Sequence, residues 1–310
     1  MKSSIRIGTR GSQLALRQAN FIKSEIRRFS PEREVDLQII KTTGDRITDR
    51  SLSTAGGKGL FVKEIETALL KKEIDLAVHS MKDMPVDLPE GLEIGAIPKR
   101  ENPFDVLISR HNARLADYKK GAVIGTSSLR RASQIKHHRP DIAIKTIRGN
   151  LDTRIKMLKS GEYDAIILAA AGLRRLGQED EITEYLDGSI MIPAVGQGAL
   201  CIETRQHDDN MIQILDTLNH EDTSVCVKGE RAFLKQIEGS CHIPAACFGT
   251  FQEDNILFTA MVASEDGQKR IKEKIVSSPG DIEAAGQKLA TQVLDKGGKI
   301  ILAQLNPDDK

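Results

Sequence analysis

Apolar and polar positions recur in the same order twice along the chain. Ile5-Arg-Ile-Gly-Thr-Arg-Gly-Ser12 predicts a short strand running into a helix that Ser12 caps. Ala15, Ala19, Ile22 and Ile26 follow at spacings of four, three and four, one face of that helix. Ala122-Val-Ile-Gly-Thr-Ser-Ser128 repeats the opening, again a strand, Gly-Thr, and a Ser where a helix starts. Each opening leads to a second strand, Val35–Ile40 and Ile142–Ile147. Each then leads through a helix to a third strand, where Leu70-Lys-Lys-Glu-Ile-Asp-Leu-Ala-Val78 matches Leu158-Lys-Ser-Gly-Glu-Tyr-Asp-Ala-Ile-Ile167 with one gap.

Strand–helix–strand–helix–strand, twice, predicts two related α/β domains with mostly parallel sheets. Such sheets bind ligands outside the carboxyl ends of their strands, where helix amino termini also point. The stretches falling there are Thr9 to Ser12, Ser80 to Asp83, Thr126 to Ser128 and Ala169 to Gly172. Arg100-Glu-Asn-Pro-Phe-Asp105 and Pro193-Ala-Val-Gly-Gln-Gly198 read as two hinge crossings. From about Asn219 the rhythm changes. A helix from near Thr223, strands Ile256 to Ala263 and Arg270 to Val276, and a helix after Gly280 predict a small α+β domain. The expected division is 1–99 with 199–218, then 100–198, then 219–310. Thr42 to Gly59, rich in Thr, Ser and Gly, fits no element and reads as either a functional lid or a disordered insertion.

Composition narrows the function. Lys plus Arg number 45 against 44 Asp plus Glu, a net charge of +1, and aromatics are 4% with no Trp. Neither a basic excess nor stacking platforms support a nucleic-acid binder, despite the basic run Arg130 to Arg139. No window holds an apolar run long enough to span a membrane. The opening residues show no signal-peptide pattern, so a cytoplasmic location is expected. Cysteines 201, 226, 241 and 247 have no zinc spacing and are expected to be free thiols in a reducing compartment.

Arg10, Arg130, Arg131, Arg148, Arg154, Arg174 and Arg175 all fall at or just after predicted strand ends. The planar guanidinium fork matches carboxylate or phosphate, so this placement predicts a polyanionic ligand. Arg27, Arg28 and Arg139 read as exposed helix residues. Asp83, in Ser80-Met-Lys-Asp-Met-Pro85, is an acid–base candidate, although the local pattern favours a turn cap. His79 reads as packed or solvated, and no metal site is expected. Cys241 lies in the loop Glu238-Gly-Ser-Cys-His-Ile-Pro244, where a thiolate is accessible; Cys201 and Cys226 read as core and Cys247 as either.

Taken together the motifs resemble the porphobilinogen deaminase family over nearly the whole chain. They are Ile7-Gly-Thr-Arg-Gly-Ser-Gln-Leu-Ala-Leu16, Lys58-Gly-Leu-Phe61, Val78-His-Ser-Met-Lys-Asp83, Gly125-Thr-Ser-Ser-Leu-Arg-Arg131, Arg148-Gly-Asn150, Ala171-Gly-Leu-Arg-Arg-Leu-Gly177, Pro193-Ala-Val-Gly-Gln-Gly198 and Gly239-Ser-Cys241. The resemblance implies an α/β fold of two related periplasmic-binding-protein-like domains with hinge crossings, plus a small α+β C-terminal domain. It implies a monomeric transferase that joins four porphobilinogen molecules head to tail, with loss of ammonia, and releases hydroxymethylbilane by hydrolysis. The implied cofactor is a dipyrromethane held by a thioether to Cys241, and the partners are porphobilinogen and the growing pyrrole chain. Asp83 would be catalytic. Ser80, Lys82, Thr126, Ser128, Arg130 and Arg131 would hold the cofactor, and Arg10, Ser12, Arg148, Arg154 and Arg175 the substrate carboxylates. The family commonly has two glycines before the attachment cysteine, where this chain has Gly239 and Ser240.

Two other readings compete. A two-domain solute-binding or effector-sensing protein shares the architecture, but would be expected to bring a signal peptide or a DNA-binding domain. A nucleic-acid protein would show binding that weakens steeply with salt.

Overall fold

The computed structural model describes residues 4–46, 62–237 and 243–305. The first repeat forms β1 (Ser4–Thr9), α1 (Gln13–Phe29), β2 (Glu34–Ile39), a short α2 (Thr43–Arg46), α3 (Lys63–Leu70), β3 (Leu76–Ser80) and β4 (Leu92–Ala96). After the first crossing come β5 (Asp105–Ser109), β6 (Val123–Gly125), α4 (Leu129–His138), β7 (Ala143–Lys145), α5 (Leu151–Lys159), β8 (Ala165–Ala169), α6 (Ala170–Leu176) and β9 (Glu184–Leu186). The chain then makes β10 (Leu200–Arg205), α7 (Asp209–Leu218) and α8 (Glu221–Gln236). It ends in β11 (Ala245–Gln252), β12 (Asn255–Ala263), β13 (Arg270–Ser277), α9 (Ile282–Val293) and α10 (Lys299–Ala303).

The repeat read from the sequence is a repeat of topology. One sheet has the order β2-β1-β3-β10-β4 and another the order β7-β6-β8-β5-β9, so each strand of one has a counterpart in the other. In both, the three repeat strands run parallel. The expectation of mostly parallel sheets stops there. β10 is antiparallel to β3 and β4, and β5 is antiparallel to β8 and β9. Each of these strands directly follows a crossing and starts at the carboxyl end of its neighbour, Leu200 opposite Ser80 and Asp105 opposite Ala169. Hydrophobic periodicity carries no information on that direction.

The local reasons for these elements are visible. Ser12 accepts a hydrogen bond from the Ala15 amide at 3.3 Å and Ser128 one from the Arg131 amide at 3.4 Å, capping α1 and α4. Ile22 and Ile26 of α1 pack on Ile7, Leu76, Val78 and Ile202 of the first sheet and on Ile214 and Leu215 of α7. The opposite face of that sheet meets Ile65, Ala68 and Leu69 of α3. Gly125, ending β6, leaves room for the third strand's approach: a Cβ there would stand 2.8 Å from Cδ1 of Tyr163.

The third sheet, β11-β12-β13, is antiparallel and buries Phe258 against Cys226 and Phe233 of α8 and Leu289 and Val293 of α9. The sequence reading missed β11, because Ala245-Ala-Cys-Phe248 lacks alternation and follows Pro244. Cys247, which the sequence left open, is fully buried there beside Cys226 in one core, and Cys201 is buried on β10. By backbone contacts the chain divides into two compact units, Met1–Glu101 with Ala199–Ser224, and Asn102–Gly198 with Val225–Lys310.

Candidate active site

In the first unit, candidate residues gather at the carboxyl ends of adjacent strands β1 and β3. Arg10 and Ser12 follow β1, and half-buried Ser80 ends β3. Gln18 of α1 donates to the Ser80 hydroxyl at 2.9 Å, tying that helix to the strand end. Met81–Asp83 form one tight 3-10 turn, held by the Met81 amide on the Ala199 carbonyl at 3.0 Å and the Met84 amide on the Met81 carbonyl at 3.2 Å. Lys82 is half-buried and Asp83 is exposed. A carboxylate and an ammonium are thus set side by side on a turn fixed at both ends.

In the second unit, the strand ends carry cations. Asp105 is fully buried and receives both neighbouring arginines. Arg130 donates to Asp105 from Nη1 at 2.8 Å and from Nη2 at 3.2 Å, and to the Ile192 carbonyl at 2.8 Å. Arg131 donates to Asp105 from Nε at 2.8 Å and to the Ile167 carbonyl at 3.0 Å. These arginines are 5% and 7% exposed, so one buried carboxylate faces two buried guanidinium groups. Arg154 extends that surplus. Burial first, then the charge of Arg131, lowers its pKa to about 10, and its Nε donates to the Gly149 carbonyl at 2.8 Å. A desolvated cation beside another cation is held at an electrostatic cost that an anionic ligand would relieve.

The other candidates lie nearby in sequence and fold. Thr126 is buried at the end of β6 and accepts from the Ser128 amide at 3.2 Å. Arg148 is exposed, just ahead of Asn150, which caps α5. Arg175 donates to the Gly198 carbonyl at 2.7 Å, fixing the second crossing. Cys241, Lys58–Phe61 and most of the expected lid, residues 47–59, fall outside the described residues.

Sequence reasoning missed Asp105, which was read only as the end of a crossing. Its signal was a carboxylate opening the continuous apolar run Val106-Leu-Ile108, where a charge needs buried partners. It also missed Glu230 of α8, fully buried, which accepts from the Gly196 amide at 2.7 Å and the Gly249 amide at 3.1 Å.

Two sheets of the same order, each with a crossing strand antiparallel to its parallel core, define a two-domain α/β protein. The comparisons give the family. A family model described as "Porphobilinogen deaminase, dipyromethane cofactor binding domain" matches residues 5–213, and one described as "Porphobilinogen deaminase, C-terminal domain" matches residues 224–295. A porphobilinogen deaminase of Syntrophobacter fumaroxidans is 48% identical over 301 residues, 97% of each chain. That of Bacillus subtilis is 49% identical over 304 residues, 97% of this chain and 96% of the relative. That of Trichlorobacter lovleyi is 50% identical over 298 residues, 96% and 95% of the two chains. The chain belongs to the porphobilinogen deaminase family.

Proposed function

We propose that the strand-end residues divide the work of the family's reaction between a carboxylate in the first unit and cations in the second. The enzyme is a transferase: four porphobilinogen molecules join head to tail with loss of ammonia, and hydrolysis releases hydroxymethylbilane. The observation that carries the division is the cationic surplus of Arg130, Arg131 and Arg154 around Asp105.

The cofactor of this family is a dipyrromethane, which would supply a primer with one free pyrrole α-carbon for the first incoming ring. A dipyrromethane bearing carboxylate side chains fits the surplus positive charge, so Thr126, Ser128, Arg130 and Arg131 hold it in this reading, with Ser80 and Lys82 from the first unit. Cys241 is its attachment point. Cys201, Cys226 and Cys247 are all buried, which supports this reading among the four thiols. Arg10, Ser12, Arg148, Arg154 and Arg175 receive the acetate and propionate groups of the substrate.

Asp83 does the acid–base work. Porphobilinogen loses its aminomethyl nitrogen as ammonia, which leaves a methylene-pyrrole cation that an adjacent carboxylate stabilises. After the new carbon–carbon bond forms, the attacked ring must lose its α-proton, and Asp83 accepts it. Exposure on a fixed turn lets the carboxylate meet successive rings.

The domain division 1–99 with 199–218, 100–198, and 219–310 belongs to this reading, as do a monomeric state, a cytoplasmic location and no nucleic-acid or membrane partner. Among the described residues no helix is long and apolar enough to cross a membrane. The test is incubation with porphobilinogen and mass analysis of both protein and released product. Covalent species growing by single pyrrole units, with a released linear tetrapyrrole, are expected; reversible binding without bond formation would refute the reading.

A further inference from the structure

Where the first sheet packs on α3, three buried ionisable side chains stand apart from the ion pairs that Arg6 and Arg205 make with Asp75. His79 of β3 and Glu203 of β10 are 6% and 0% exposed, and Glu66 of α3 is 6% exposed. Strand alternation puts His79 and Glu203 on the same side as Ala77, the side that meets Ile65, Ala68 and Leu69 of α3. The His79 Nε2 lies 3.0 Å from Oε2 of Glu203. Oε1 of Glu203 and Oε1 of Glu66 are buried and have no hydrogen-bond partner among the described residues.

We propose that Glu66 is protonated up to neutral pH in the same buried layer as the His79–Glu203 pair, and that this pair makes His79 a positioning residue for the Ser80–Asp83 turn. Burial favours it. An ionised carboxylate on Glu66 would be desolvated with its Oε1 unpartnered, and a proton on Glu66 removes that charge.

Among the described residues, the other charged groups on the strands packed against α3 are engaged elsewhere or exposed. On β1, Arg6 is engaged with Asp75. On β10, Arg205 is engaged with Asp208 and Asp75. On β4, Glu93 is exposed, and on α3 itself Lys63 is exposed while Glu64 accepts from the Thr43 amide. Burial and the charge of Glu203 raise the Glu66 pKa to about 7, with His79 and Lys63 opposing.

The link to the site is short. His79 precedes Ser80 and pairs with Cys201 across the ladder, which continues into the Met81 amide on the Ala199 carbonyl. A side-chain anchor one residue before the turn fixes its direction, and small misplacements of a reacting group are costly. This part rests on the reading of Asp83 as the catalytic carboxylate.

Infrared difference spectra of holoenzyme against Glu66→Gln holoenzyme test the Glu66 proton directly. A protonated-carboxyl band is expected at pH 6, fading towards pH 8; ionised carboxylate bands alone at pH 6 would overturn the proposal. The raised Glu66 pKa adds stability that is full below its unfolded value and lost as pH rises through about 7. The wild-type unfolding constant should therefore rise about tenfold or more between pH 5 and 8, while that of Glu66→Gln changes less. Equal pH dependence of the two would overturn it. For positioning, His79→Leu should lower kcat about tenfold or more with KM within about twofold, and His79→Gln, which keeps an N–H donor, should recover most of the loss. If His79→Leu does not fold, Glu203→Gln carries the same readout. A folded variant with unchanged kcat would overturn the positioning role. Normal turnover in Asp83→Asn would instead remove the reading of Asp83 and leave the infrared result standing.

Discussion

The positive charge of Arg131 bears on Arg154 and, after burial, helps to lower its pKa to about 10. Arg131 itself is engaged with Asp105 at 2.8 Å, so the unrelieved charge of the pair falls on Arg154. In the proposed reading Arg154 awaits a substrate carboxylate at some expense to the fold. Arg154→Leu is expected to leave stability within about 0.5 kcal/mol of wild type or above it, by chemical denaturation. The same variant should slow elongation by roughly 10–100-fold, the worth of a charge-assisted hydrogen bond. Clear destabilisation with normal elongation would make Arg154 a structural residue.

Asp105 is the opposite case. It holds two buried guanidinium groups, and Asp105→Asn would leave both facing a neutral amide. A loss of about 3–5 kcal/mol is expected in equilibrium unfolding, because breaking a buried ion pair strands its partner. Cofactor content should fall with it, since the orientation of Arg131 and the start of α4 depend on this carboxylate. A variant as stable as wild type would show that the arginines find other acceptors.

Much of this was legible in the sequence, and the exceptions share a cause. Ser12 and Ser128 announced their helices because a cap acts within three residues, and both caps are present. The arginines at strand ends were visible as a pattern. Their partners were not: Asp105 is 25 residues from Arg130, and Glu203 is 124 from His79. Pairing at that range follows from the antiparallel strands β5 and β10, whose direction no periodicity encodes. Arg130 and Arg131 were expected at the ligand and are found engaged with Asp105; seating the cofactor is therefore proposed for the face these guanidinium groups and the capped start of α4 present together.

Asp83→Asn tests the chemical step. The side chain is exposed, so the fold and the cofactor should be retained. Asparagine keeps the shape but offers neither the negative charge nor a proton acceptor. Turnover of porphobilinogen should fall by roughly 10²–10⁴-fold. Near-normal turnover would return Asp83 to the role of a turn residue.

In the proposed reaction the chain extends a primer attached covalently at Cys241, and the intact mass of the purified protein reports on that attachment. Wild-type protein should carry an adduct equal to one dipyrromethane, and brief exposure to porphobilinogen should add one to four further pyrrole units. Cys241→Ala should fold and show the bare polypeptide mass under both conditions. A bare wild-type mass with no growth on porphobilinogen, or an unchanged adduct in Cys241→Ala, would contradict the account.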